Sequence, residues 1–595
     1  MKHPHGSAWK PPAFLRRWYR LHMMAAGLLA LAWLLFRSGT KPSRLTYPCQ
    51  QAALSTAAMA FGLTFVGALV AIRRRLSVRW LTPVGIVLGG LALMVVAGTW
   101  SYQDRPVAYQ GPLLDPPADY RAQVFSKVDC PQNPLGDRFV CVEDLIEMLG
   151  AQGIKLHRSG TVSLTAGPDG ILAADDVVVI KINYQWPDRG GTNTDLLRGL
   201  IRRIVDHPDS FTGEIVIAEN TQFNSADNFD RSANNAQDIT LSPHDVVFHF
   251  RAMRHKISHF AWTDIRYQSV GEYSEGDMDD GYVVYPYDSL LQGRVSYPKF
   301  QTTFGTRISL RDGIWDDVAG YDRQRLKLIN LPVLKSHHAT YGATALVKHY
   351  MGVVTRELST NSHNAIRYGV LGATIGEIRP ADLNILDAIW VNGNPNDGPW
   401  TSYAAATRRD QLVASLDPVA ADLWAVKQIL IPTFLDNGYT PPWPYPSADP
   451  DDPTSAFRTY LDASMNHILA AGYSVTNDVD SIDEIALGPP GEASDPTGNG
   501  SPFTIAKGPL GYELSWSSPF RGGPVDEYEL YRTDLAGLVP ECESTLGSGT
   551  SATLPTLPGG YGFLVVGRNA SGDGSPGRDS RGHDRPIAQD PGVCP

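Results

Sequence analysis

Cysteine is scarce in this sequence, with five residues in 595, which is too few for a disulfide scaffold. Positive charge is in deficit as well. The formal net charge of -11 argues against a nucleic-acid surface, so no nucleic-acid partner is expected. The chain also lacks a GxSxG nucleophile elbow, a P-loop, a dinucleotide glycine fingerprint, an HExxH pair and any paired-cysteine metal spacing. Those absences remove the most direct routes to a named reaction. What is present is a hydrophobic content of 43% against 19% charge, the balance of a globular protein with a membrane portion. One core rarely grows past ~250 to 300 residues, so several domains are expected.

Three apolar runs at 21–36, 51–72 and 80–98 contain no charged residue, and a bilayer crossing needs ~20 such residues. They predict three transmembrane helices within a membrane anchor over residues 1–100. Lys2, Lys10, Arg16, Arg17 and Arg20 precede the first run, and Arg73, Arg74, Arg75 and Arg79 separate the second from the third. The loop between the first two carries only Arg37, Lys41 and Arg44. The positive-inside rule then puts the N-terminus in the cytoplasm and everything after about Trp100 outside the cytoplasmic membrane. An oxidising exterior suits two disulfides, Cys130 with Cys141 and Cys542 with Cys594, leaving Cys49 over. With no Asp, Glu, Lys or Arg in the spans, they read as an anchor and not as a transport path.

Residues 101–140 are rich in Pro and Asp and read as a linker. Beyond them VEDLIEML has helical spacing, and DVVVIKIN over 176–183 is a continuous apolar run ending in Lys181 and Asn183, the pattern of a buried parallel strand. Thr192 or Thr194 is placed to cap the next helix, and EIVIAEN follows as a second strand ending in Glu219. Polar residues at strand ends beside a helix N-terminus favour an anion. The densest chemistry lies in Leu328 to Thr355. Here Ile329–Leu334 predicts a strand that leaves Lys335 and His337 on one face, and a helical run that places Thr344 and Lys348 one turn apart before Gly352. Further on, LNILDAIWV predicts a strand carrying Asp387, and LVASLDPVAADLWA a strand end that delivers Asp417 to a helix bearing Asp422. His244, His249, His255 and His259 read as surface or packing residues, because no ligand spacing links them.

Four of these segments together, IKIN at 180–183, INLPVLKSH with VKHYMG within 329–352, LNILDAIWV at 383–391 and LVASLDPVAADLWA at 412–425, resemble the domain-of-unknown-function family 362. The likeness extends over about residues 140–485 and implies an α/β fold with a mostly parallel sheet and flanking helices, assigned to residues 141–488. Lys181, Asn183, Lys335, His337, Lys348, Gly352, Asp417 and Asp422 fall on the family's matching positions. The family's usual Lys-Pro-Asn is Lys-Ile-Asn here, and its Lys-Asn before the glycine is Lys348-His349. Many members carry a ferredoxin-like cysteine cluster; this chain has none, so no iron-sulfur cluster is expected.

A Pro/Gly/Ser linker at 489–502 leads to short alternating strands over 503–595, the pattern of an all-β immunoglobulin-like sandwich. Trp516, the Tyr528–Arg532 strand and the Asn569–Gly572 turn resemble a fibronectin type III module, which implies docking to a protein or glycan partner. The function expected is that of a membrane-anchored, extracytoplasmic bacterial protein acting on an anionic small molecule or a cell-envelope polymer. As an enzyme it would use His337, Lys335 and Asp417 as catalytic groups, with Asp417 or Glu219 orienting the histidine or holding a metal ion, and Lys181, Asn183, Thr192, Thr194, Lys348, Glu219 and Asp422 binding the ligand. The alternatives are a non-catalytic envelope binding or scaffolding protein and a metal-binding redox accessory.

Overall fold

Runs of valine and isoleucine set the centre of the fold, because β-branched side chains suit a sheet that is buried on both faces. The computed structural model describes residues 114–130, 137–222, 227–230, 233–359, 362–395, 397–439, 446–487, 503–508, 511–516, 518, 525–534, 541–554, 561–569 and 572–573. The chain divides into two units, residues 1–105 and 106–595, and every described residue belongs to the second. The three expected spans, the 489–502 linker and Cys594 lie outside the described residues. Among the described residues no helix is long and apolar enough to cross a membrane.

Ten strands form the main sheet: β1 (Ala122–Lys127), β2 (Val177–Ile182), β3 (Glu214–Glu219), β4 (Lys256–Ala261), β5 (Leu326–Leu331), β6 (Val333–His337), β7 (Gly342–Thr344), β8 (Leu383–Asn392), β9 (Ala406–Ser415) and β10 (Ile482–Leu487). Their order is β10-β1-β9-β8-β5-β2-β3-β4, with β6 beside β8 and β7 beside β6. The pairs from β8 through β5, β2 and β3 to β4 are all parallel, whereas β9 runs antiparallel to both β8 and β1. Period-two alternation sorts the side chains onto two faces. Val177, Val179, Val216, Leu326 and Leu328 pack in one cluster with Val419, Leu423, Phe457 and Leu461. Val178, Ile180, Ile215, Ile217 and Ile329 pack in the other with Leu145, Leu196, Leu200 and Val246. Helices α1 (Val140–Ala151), α2 (Thr194–Val205) and α3 (Pro243–Ala252) therefore cover one face, and α5 (Pro418–Ala425) and α6 (Ala456–Ala470) the other; the short α4 (Leu346–His349) lies between them in sequence.

Four expectations change. The stretch expected as a linker contains β1, which takes its place between β9 and β10. Its Val124 and Phe125 are buried on opposite faces, a pattern hidden by the Pro- and Asp-rich flank. The N-cap of α2 is Asn193, not Thr192 or Thr194, and its side chain accepts from the N–H groups of Asp195 and Leu196. The strand expected over Ile329–Leu334 is broken at Pro332 into β5 and β6, since proline cannot donate to a ladder. The helical run expected after it is interrupted by β7, which folds back on β6 so that Lys335 faces Thr344 and His337 faces Gly342. Gly342 permits the reversal: its φ is +71°, and a Cβ there would stand 2.0 Å from the Ser447 carbonyl oxygen.

Residues 281–322 hold a five-stranded antiparallel sheet. Buried Glu272 anchors that sheet by accepting from Tyr297 Oη at 2.5 Å and Ser309 Oγ at 2.9 Å. Residues 504–573 form two antiparallel sheets of three and four strands around Leu514, Trp516, Tyr528, Leu530 and Val565. Cys130 and Cys141 are joined by a disulfide, with their Cα atoms 5.2 Å apart, as expected; it ties the start of α1 to the end of β1. A loop of this length should contribute about 3 kcal/mol by limiting the unfolded chain. Thermal melts should therefore show Cys130→Ser/Cys141→Ser unfolding several degrees below the parent, and reductant should lower the parent's transition by more than that of the variant.

Candidate anion site at the strand ends

Parallel strands deliver their last residues to one edge of a sheet, and that edge is where open α/β folds place ligands. Lys181 ends β2, Glu219 ends β3, and Lys335 with His337 end β6. Lys181 Nζ donates to Glu219 Oε2 at 2.9 Å, with both side chains 2% exposed. Burial pushes the Glu219 carboxyl up to about 7 against the attraction of Lys181, and it pulls the Lys181 ammonium down. Gly352 closes over this pair, since a Cβ there would lie 2.3 Å from both Lys181 Nζ and Glu219 Oε1. His349 sits alongside, with Nδ1 2.6 Å from Asn330 Oδ1 and Nε2 3.8 Å from Glu219 Oε2. Nδ1 is accordingly the protonated nitrogen, because a carbonyl oxygen only accepts. Lys181 and Glu219 satisfy one another, whereas His349 Nε2 is buried without a hydrogen-bond partner among the described residues.

A second group is built on Lys335, Lys348 and His337. Lys335 donates to Asn183 Oδ1 and to the Gly190 carbonyl, and its ammonium is pulled down to about 7 by burial, with Glu219 opposing and Lys348 and Lys181 reinforcing. Lys348 is 4% exposed and is pulled down to about 7 by burial. It has no hydrogen-bond acceptor among the described residues; its Nζ lies 4.5 Å from the centre of the Tyr341 ring. Half-buried His337 has Nδ1 2.6 Å from Thr344 Oγ1, which leaves Nε2 open. Burial, Lys348 and Lys335 hold its imidazole well below the usual range, so it is neutral. Tyr341 stands edge-on to His337 at 5.3 Å and donates to the His363 carbonyl at 3.1 Å. His363 is itself pulled down to about 3 by burial and by Lys348. Cations and potential cations thus outnumber carboxylates at this end of the sheet.

The remaining expected residues are placed elsewhere. Thr192 receives the Asn183 N–H and donates to the Leu331 carbonyl, both at 2.8 Å, which locks the loop holding Asn183. Thr194 donates to the Leu241 carbonyl, on the far side of α2. Asp417 caps α5, accepting from Val419 and Ala420 at 2.8 and 2.9 Å and from Thr476 N at 2.9 Å; burial raises its carboxyl to about 7. Asp422 accepts from Leu346 N at 2.6 Å and Val347 N at 3.0 Å, so it fixes the start of the helix that carries Lys348. Neither Asp417 nor Glu219 orients His337; a threonine hydroxyl does. Asp387, between Asn193 N at 2.9 Å and Asn235 Nδ2 at 3.3 Å, braces the opposite wall. Among the described residues no group of three or more His, Cys, Asp or Glu side chains assembles as a metal-ligand set, and His244 and His259 pack ring to ring at 4.5 Å.

Tyr341 and His363 were not foreseeable from spacing. Tyr341 ends a four-residue helix, His338–Tyr341, and His363 lies in another, Ser362–Ala365; both are too short for a periodic pattern, and only the fold brings them to Lys348. A buried cation without an acceptor costs stability. Because Lys348 binds its proton less tightly in the folded chain than in the unfolded one, the unfolded state holds more protons between pH 7 and 10.5, and this residue makes stability rise with pH across that window. Lys348→Met should therefore raise unfolding free energy at pH 7 by on the order of 2 kcal/mol and flatten that rise. Denaturant titrations at pH 7 and pH 9.5 measure both effects, and a variant no more stable than the parent would contradict the reading.

No curated protein matches the sequence. Among solved structures, titin kinase with its flanking domains is 16% identical over 15% of this chain and 15% of that one, with a TM-score of 0.12. Titin domains A168–A170 are 16% identical over 16% of this chain and 30% of that one, also at 0.12; scores this low carry no shared fold. The resemblance anticipated over about 140–485 is found across a narrower stretch. Residues 315–427, which contain β5 to β9 and with them Lys335, His337, Lys348, Asp417 and Asp422, match the family described as Domain of unknown function (DUF362).

Proposed function

We propose that the α/β domain binds an anionic group of a small molecule or cell-envelope polymer at Lys348, Lys335 and His337, in a protein anchored to the cytoplasmic membrane with this domain outside. The observation that carries the reading is Lys348, a buried ammonium that faces an aromatic ring and has no acceptor among the described residues. An arriving anion would supply the missing partner and raise the amine's proton affinity. The extracytoplasmic setting rests on the apolar runs at 21–36, 51–72 and 80–98 and the arginines between them, and the Cys130–Cys141 disulfide suits it. The C-terminal pair of sheets, read as a fibronectin type III-like module, would position the domain or recruit a partner.

A catalytic reading is supported by one specific feature. Two lysines near pKa 7 and a neutral imidazole with an open Nε2 are reagents for proton transfer near neutral pH. Calorimetric titration of the full-length protein with galacturonate, a monoanion, tests the first reading. Binding is expected at pH 6 to 7 and should weaken up to tenfold per unit above pH 7, as one proton must be taken up with the ligand. Lys348→Met should abolish it. His337→Gln should change affinity by less than about threefold if the site only binds, because a neutral amide can replace a neutral ring. No binding to the parent at pH 6 would end the anion-site reading.

A further inference from the structure

The rim beside this cluster carries exposed aromatic rings. Trp400 is 52% exposed and Tyr403 37% exposed, yet each is fastened from below. Trp400 Nε1 donates to Asp188 Oδ2 at 3.3 Å, and Tyr403 Oη to the Asn234 carbonyl at 3.0 Å. The Arg189 guanidinium lies 5.0 Å from the Tyr403 ring and 4.4 Å from that of Trp390. A large apolar ring held in one orientation on the surface is a prepared contact face, since the entropy of ordering it is already spent.

The rim is continuous with the lysines. Asn392, opposite Lys335 in the sheet, donates from Nδ2 to the Trp400 carbonyl at 3.3 Å. Gly190, whose carbonyl receives Lys335 Nζ, is so close that a Cβ on it would stand 3.3 Å from Thr401 N. Gly398 lies directly on Ser336, where a Cβ would be 2.1 Å from its carbonyl oxygen, and the Asp397 carbonyl receives the His338 N–H at 3.0 Å. Trp400 is therefore two residues, at most ~7 Å of chain, from the backbone touching Ser336 between Lys335 and His337.

The chemistry of the cluster narrows the anion. There is no arginine fork among the described residues of the cluster, and the Leu346 and Val347 N–H groups are taken by Asp422, so an anion meets single point contacts and no bidentate clamp. The available donors are separate lysine and histidine groups, which suit one carboxylate. Building on the anion-site reading, we infer that the ligand is a carboxylate-bearing polysaccharide of the uronic-acid type, with one sugar stacked on Trp400 and the carboxylate of a neighbouring sugar held by Lys348 and His337.

The test is binding of the full-length protein and its Trp400→Ala and Lys348→Met variants to polygalacturonate, neutral dextran and poly-L-glutamate, with monomeric galacturonate as reference. The expected result is that polygalacturonate binds at least tenfold tighter than galacturonate and than poly-L-glutamate, with no binding of dextran. Trp400→Ala should lose most of the polymer's advantage while leaving galacturonate affinity unchanged. Equal affinity for poly-L-glutamate and polygalacturonate, or a polymer affinity untouched in Trp400→Ala, would overturn the polysaccharide inference while leaving the anion site standing. Loss of galacturonate binding by the parent protein would instead remove the reading beneath it.

Discussion

The Lys181–Glu219 pair is the interaction on which this end of the molecule rests. It joins the C-terminal ends of two adjacent parallel strands at 2.9 Å in full burial, where neither charge has water to fall back on. Removing one partner from such a pair costs ~3 to 5 kcal/mol, because the other is left uncompensated. The surroundings are shaped around it. Gly352 has no side chain because the pair occupies that space, His349 stays neutral beside it, and the Tyr184 N–H turns toward Glu219 at 3.4 Å. With this pair settled, Lys335 and Lys348 are left without a carboxylate hydrogen-bonded to either among the described residues.

That imbalance is where fold and proposed function meet. Lys335 donates to neutral acceptors, with Glu219 and Asp387 supporting its charge through space, and Lys348 faces an aromatic ring. The fold holds Lys348 in place from a distance, through the Asp422 carboxylate on the two N–H groups that open its helix. A buried carboxylate raised to about 8 by burial is an expensive clamp for a four-residue helix.

Much of the fold was legible before any coordinates, for a simple reason. The runs VVVIKI and EIVIAE are apolar without alternation, and only burial on both faces accommodates that. The N-cap of α2 was missed by one residue because threonine and asparagine are near-equal caps in sequence. The β6–β7 hairpin was missed because its reversal depends on Gly342 meeting Ser447, over a hundred residues later. Asp417 looked like a member of the site because it follows a strand and precedes a proline; the same position is that of an N-cap, and its four contacts are all structural.

The sequence by itself determined the parallel core, the strand ends that carry Lys181, Glu219, Lys335 and His337, and the close Cys130–Cys141 spacing, because periodicity and composition are local properties. Tertiary structure alone decided which charges are paired. Lys181 and Lys348 look alike in sequence, yet one meets Glu219 and the other meets Tyr341. Pairing depends on residues brought together from distant segments, and no local pattern encodes whether a buried cation finds an acceptor when it arrives.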